Sequence, residues 1–187
     1  MFEKVVKHYH NFPKEGIDFI DVLPFLRDKK TFASAIREID AMCTAPVVAT
    51  VEARGFIFGA PLLTVSDHVQ TVVPIRKKGK LPYAEGDLVK VTIEKEYGSD
   101  EVYYRRSDFA GVDGGEYIDV TVMDDLLATG GTAAGIAKSL QQQVIDGRRL
   151  RVKEFVFLVE LPELGGRAIL EQIAPVRALM NVNEWSE

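Results

Sequence analysis

At 187 residues, 47% apolar and 27% charged, the chain has the length of one domain around one core and the composition of a soluble globular protein. Its net charge of -5 argues against a surface that coats nucleic acid, while leaving room for a local basic patch at an anion site. A single cysteine, Cys43, excludes an internal disulfide, and no apolar run has the length of a signal peptide or a membrane span, so a cytoplasmic location away from membranes is expected.

Residues 1–26 are irregular and aromatic-rich, with Phe2, Tyr9, Phe12, Phe19 and Phe25 among turn residues. They predict either a hood over a site or an arm that packs its rings on the core. His8 and His10 have no metal-ligand partners in the sequence and are expected to be surface or packing residues. Phe32, Ala35, Ile36, Ile39 and Met42 recur at helical spacing, which predicts an amphipathic helix over 31–42.

Pro46 to Val51 reads as a strand buried on both faces, because its apolar residues do not alternate. It ends at Glu52-Ala53-Arg54-Gly55, and a helix through Phe56, Ile57, Phe58, Leu62 and Leu63 follows. An open parallel sheet binds ligands at such strand-to-helix junctions, so Arg54 is placed either to grip a phosphate or to pair with a neighbouring carboxylate. A second strand, Thr71 to Ile75, runs into Arg76-Lys77-Lys78-Gly79-Lys80, either a solvated turn or a clamp for a polyanion. Beyond Pro82 an alternating run from Leu88 to Ile93 suggests a hairpin able to close over the site, with Glu94 and Glu96 as acid-base candidates. Glu101 to Arg106 then reads as the returning strand and Val112 to Gly115 as a turn.

The most informative stretch is Val120 to Thr132. β-Branched and apolar residues lead through Asp124 and Asp125 into Ala128-Thr129-Gly130-Gly131-Thr132 and a helix beginning near Thr132. Small residues at a helix mouth let backbone N–H groups turn around an anion, where the helix dipole adds positive potential. The aspartates would repel that anion, but they can accept from sugar hydroxyls or steady a developing cation. A sugar phosphate satisfies both halves. Neither a nucleoside-triphosphatase loop nor a Gly-x-Gly-x-x-Gly dinucleotide fingerprint is present. Ala133, Ile136, Ala137, Leu140 and Val144 predict that the helix continues to Asp146-Gly147. Arg148, Arg149, Arg151 and Lys153 are expected to form a solvated edge. A buried strand (155–159), a helix interrupted early by Gly165-Gly166 (162–173) and a short strand (175–180) complete an α/β pattern that implies a parallel sheet.

Taken in order, these motifs resemble those of the adenine phosphoribosyltransferase family, over about Phe12 to Arg167. Phe12 to Phe19 is similar to its purine hood and Glu52 to Gly59 to its diphosphate loop. Arg76 to Pro82 and Glu96-Tyr97-Gly98 are similar to the two ends of its flexible loop, and Asp124 to Thr132 to its ribose-phosphate loop. The resemblance implies a type I phosphoribosyltransferase fold: a central, mostly parallel sheet flanked by helices, with a small hood over 1–30 and a flexible catalytic loop over 77–100. It implies transfer of phosphoribosyl from phosphoribosyl diphosphate to a purine, with Mg²⁺ held mainly through the diphosphate. Asp124 and Asp125 would stabilise the ribose, and Glu96 would manage a base proton. Ala128, Thr129, Gly130, Gly131 and Thr132 would hold the 5-phosphate, Arg54, Lys77 and Lys80 the diphosphate, and Ile17, Asp18 and Phe19 the base. The residue matching Arg76 reaches a neighbouring subunit, which implies a homodimer. Asp18 and Ile20 depart from the usual hood; an Asp18 carboxylate facing the base would favour a 6-oxopurine over adenine. Open beside this reading are a transferase for guanine, hypoxanthine or xanthine, a non-catalytic sensor of phosphoribosyl diphosphate, and a flavodoxin-like signalling domain.

Overall fold

The computed structural model describes residues 2–94 and 98–183. The amino-terminal arm is more regular than its sequence suggests. β1 (Lys7–His10) and β2 (Asp18–Asp21) form a separate antiparallel hairpin, His10 facing Asp18. Two four-residue strands, largely polar, give no alternation long enough to be read from sequence. A 3₁₀ turn (Leu23–Arg27) follows, then α1 (Lys29–Met42), whose start is capped by the Asp28 carboxylate accepting from Thr31 N–H at 2.7 Å.

β3 (Val47–Val51) is buried along its whole length and leads into α2 (Arg54–Gly59) and the one-turn α3 (Leu62–Val65). β4 (Thr71–Lys77) lies beside it, and β5 (Leu88–Glu94) and β6 (Ser99–Arg105) form the expected hairpin. β7 (Tyr117–Leu127) carries the acid pair within the strand, and α4 (Gly131–Leu140) starts one residue before Thr132. The predicted continuation of α4 to Asp146 does not occur. The helix stops at Leu140, and β8 (Val144–Ile145) turns back at Asp146-Gly147, both at positive φ, into β9 (Arg148–Glu160). Asp-Gly is a two-residue hairpin turn, and its preference outweighs one more apolar residue at helical spacing. The second basic cluster is thereby the polar, alternating start of a long strand: Leu150 and Val152 are buried, while Arg151 forks onto Asp119 at 2.7 and 2.9 Å. The chain ends with a 3₁₀ turn (Pro162–Leu164), α5 (Gly166–Leu170) and β10 (Val176–Asn181).

The main sheet runs β10-β9-β7-β3-β4-β6-β5, with β8 paired to β9. Its five strands from β10 to β4 are parallel, and the β5/β6 hairpin extends it antiparallel. Each face has its own core. Val47, Ala49 and Val51 pack with Ile136 and Leu140 of α4, whereas Val48 packs with Ile36, Ile39, Phe58 and Leu62 on the other side. A strand covered on both faces has no polar side, which is why β3 reads as a continuous apolar run.

Candidate active site

The carboxyl ends of β3 and β7 lie side by side, so the loops leaving them share one rim of the sheet. Small residues let these elements approach. A methyl placed on Gly55 would come within 2.9 Å of Thr50 Oγ1 and 3.0 Å of Asp124 Oδ1, and one on Gly59 within 3.0 Å of Thr50. The spacing of four puts both glycines on the α2 face that rests on the strands.

Asp125 is buried and Asp124 half-buried, with the Asp124 Oδ1 atom turned inward, where it accepts from the Asp125 N–H at 2.8 Å. Arg54 Nε lies 2.8 Å from Asp125 Oδ2. The same guanidinium donates from Nη1 to the Ile20 carbonyl at 3.1 Å and lies 4.9 Å from the Phe19 ring centroid. Arg54 therefore ties the acid pair to the hood. Burial, and then the neighbouring Asp125 charge, push the Asp124 carboxyl well above the ordinary carboxylate range. Asp125 is pushed up by burial and drawn back by the Arg54 charge. The two share one electrostatic problem and titrate as a pair.

Beside Asp124, a pocket of about 100 Å³ is lined by Ala128, Thr129, Gly130, Gly131 and Thr132, the five small residues predicted to cradle a phosphate. Gly130 has φ +78, the left-handed conformation that turns the chain from β7 into α4. Gly131 has room around it: a methyl there would meet only Thr129 Oγ1, at 4.0 Å. The cradle is thus continuous with Asp124, which lines the same pocket, while Asp125 lies buried against Arg54.

The basic run is anchored through a residue that sequence reasoning left without a role. Glu52 accepts from Arg76 Nε at 3.0 Å and from the Lys77 N–H at 2.9 Å, and the Arg76 bond holds its carboxyl below the usual range. The available signal was only an acid at the end of β3, since the cation run it meets lies 24 residues further on. Lys77 and Lys80, with Lys78, line a wider depression against Ser99 to Val102 of the hairpin. Gly166 was also missed: its backbone packs directly against the cradle. Glu96 lies outside the described residues. In the hood, Phe19 meets Phe12 edge-on at 5.2 Å, and Ile17 is exposed. The Asp18 carboxylate is taken by two histidines, at 3.3 Å from His8 Nδ1 and 3.1 Å from His10 Nδ1, and its side chain is only 3% exposed. Those histidines were expected to be surface or packing residues, and their pairing with Asp18 was not foreseen. Because strand residues alternate, Asp18 shares a face with the buried Ile20, opposite Phe19 and Arg54.

A parallel sheet that presents an acid pair and an anion cradle on one rim, under a separate hood, has the architecture of the type I phosphoribosyltransferases. Comparison with known proteins narrows the class. An adenine phosphoribosyltransferase of Synechococcus sp. (strain CC9902) is 40% identical over 173 residues, 91% of this chain and 90% of the relative. The crystal structure of adenine phosphoribosyltransferase from Thermoanaerobacter pseudethanolicus superposes with a TM-score of 0.79 at 34% identity, covering 97% of this chain and 98% of that one. The Saccharomyces cerevisiae enzyme, solved with D-2,5-dideoxy-2,5-imino-altritol 1,6-bisphosphate and adenine, gives 0.73 at 34% identity over 95% of this chain and 96% of its own. No family model matches the chain. On these relatives the chain belongs to the adenine phosphoribosyltransferase family.

Proposed function

We propose that the chain transfers the 5-phosphoribosyl group of phosphoribosyl diphosphate to adenine, releasing AMP and diphosphate, and that the residues assembled on the sheet's rim divide this task. The carrying observation is that Asp124 lines the same pocket as the small-residue cradle, with Asp125 next to it in β7. The 5-phosphate binds the N–H groups of residues 128–132 at the mouth of α4. Ribose then lies over the acid pair. As the C1–oxygen bond to diphosphate lengthens, positive charge builds on the sugar, and ionised carboxylates fixed beside it lower the barrier. Arg54 favours the ionised form of that pair through Asp125 and, through Ile20 and Phe19, holds the hood against it. The departing diphosphate is received by Lys77 and Lys80, with the N–H groups around Arg54. Phe19 stacks on the base, with Ile17 and the backbone of Asp18 beside it, and Glu96 manages its proton.

Mg²⁺ is expected with the donor, where it neutralises charge on the leaving group. The donor set suits a hard cation shared with the diphosphate, since the oxygens of Asp124 and Asp125 offer only carboxylate ligands and are too few to form a cage by themselves. A homodimer, with Arg76 reaching the neighbouring site, is part of this proposal, since Arg76 matches the family's loop arginine. As an enzyme acting on small-molecule substrates, the chain is proposed to work in the cytoplasm; among the described residues no helix is long and apolar enough to cross a membrane.

Adenine is favoured over 6-oxopurines because the Asp18 carboxylate is turned to His8 and His10, leaving backbone groups to read the base edge. The test is to mix protein, Mg²⁺ and phosphoribosyl diphosphate with each purine base and identify the nucleotide formed. AMP from adenine, with little product from guanine, hypoxanthine or xanthine, is expected. Comparable turnover of a 6-oxopurine would overturn the base assignment.

A further inference from the structure

The cradle does not stand on its own helix alone. A methyl placed on Gly166 would come within 2.2 Å of the Ala128 carbonyl oxygen, 2.8 Å of Leu127 Cδ1 and 2.9 Å of Gly130 N. In the reverse direction, a methyl on Gly130 would meet Gly166 O at 3.0 Å, Gly166 Cα at 3.3 Å and Leu170 Cγ at 3.3 Å. Backbone thus rests on backbone, with no side chain between to absorb an error. Wherever Gly166 sits, the Ala128 carbonyl and the Gly130 N–H must sit accordingly.

What fixes Gly166 is the next residue. Arg167 forks onto Glu160, with Nε donating to Oε1 at 2.9 Å and Nη2 to Oε2. Its Nη1 donates to the Val176 carbonyl at 2.8 Å and to Glu171 Oε1 at 3.1 Å. Glu160 is 3% exposed and is the last residue of β9, in register with Leu127 of β7 and Asn181 of β10. One guanidinium therefore fastens the start of α5 to the two strands beside the cradle. A planar fork fixes orientation as well as distance, which a lysine ammonium would not.

We propose that Gly166 and the Arg167–Glu160 pair are positioning residues for the phosphate cradle, setting the backbone of Ala128 to Gly130 at the spacing that a phosphate monoester requires. Neither touches the ligand. The inference rests on the reading of residues 128–132 as the 5-phosphate site, so its test separates the two. Ribose 5-phosphate serves as the monoester probe and inorganic diphosphate as the probe for the rest of the donor site, both measured by calorimetry, alongside the Michaelis constants for phosphoribosyl diphosphate and adenine.

Gly166→Ala and Arg167→Gln should each weaken ribose 5-phosphate and raise the donor KM by at least about tenfold, the scale on which small misplacements act. Affinity for diphosphate and the adenine KM should stay within about threefold of wild type. Gly131→Asp is the control: its site has room for a side chain, and a negative charge there repels a phosphate directly. If Gly131→Asp binds ribose 5-phosphate like wild type, the cradle assignment fails and the inference falls with it. If Gly131→Asp loses the monoester while Gly166→Ala or Arg167→Gln retains it, the cradle stands and the brace is refuted. Equal loss of monoester, diphosphate and adenine in both variants would show a general structural role, and would also refute it.

Discussion

Two adjacent carboxyls withdrawn from water resist ionising together, and Arg54 is the group that opposes this at Asp124 and Asp125. A carboxyl whose pKa is raised by folding holds its proton more tightly in the folded state. The fold therefore gains stability as pH falls from above the raised value towards the ordinary value near about 3.9, and carries a penalty above it. Asp124→Asn removes the penalty with the function: kcat should fall by about 10²–10³, while the melting temperature at pH 8 should rise. Melting curves of both proteins should converge as pH is lowered; a variant less stable than wild type at pH 8 would contradict the charge assignment. Arg54→Met removes the charge that lowers both carboxyls, so the acid limb of kcat/KM for the donor should move to higher pH, with activity partly recovered by alkaline buffer. A limb left in place would mean that Arg54 does not set the charge of the pair.

At the level of elements, the site depends on how closely helices meet strand ends. The contact of α2 with β3 and β7 is closed by Gly55 and Gly59, and Gly55 touches the very carboxylate assigned to catalysis. Gly55→Ala should therefore displace Asp124 as well as α2, costing about 1–3 kcal/mol of stability and lowering kcat more than it changes the adenine KM. Urea denaturation with steady-state kinetics checks both halves; an unchanged kcat would mean that Asp124 adapts without loss. On the opposite face the β5/β6 hairpin is docked rather than loose. Tyr104 is fully buried and its hydroxyl lies 2.9 Å from Ser139 Oγ, while Ile93 approaches Gly135 of α4. The described part of the segment predicted as a flexible loop thus includes strands that join the main sheet.

For the whole molecule, the two-faced sheet sets a division between the core that holds α4 and its cradle and the core that holds α1, α2 and α3 with the hood-bearing segment. The acid pair lies where the two meet. If Arg76 serves a neighbouring subunit's site, as proposed, then Arg76→Ala and Asp124→Asn disable different halves of a composite site. Mixing the two inactive proteins after partial unfolding should restore about a quarter of wild-type activity, since half of the random dimers would carry one intact site of two. No recovery, with dimers shown by sedimentation, would confine Arg76 to its own chain, where it already pairs with Glu52.

The order of residues from Val120 to Thr132 was by itself enough to predict a strand carrying two acids, a turn of small residues and a helix mouth, because all three are local. The parallel sheet followed from alternating strands and helices, and β3 from its unbroken apolar run. Contacts across the chain were decided only by tertiary structure. Arg54 meets Asp125 because β3 and β7 are neighbours, and Gly166 reaches the cradle because β9 returns α5 beside it. Asp18, which in sequence threatened the base assignment, is bound by histidines brought opposite it when a hairpin forms. A one-dimensional pattern fixes which face a side chain takes within its own element; which partner waits on that face depends on strand order and register, set by the packing of the whole.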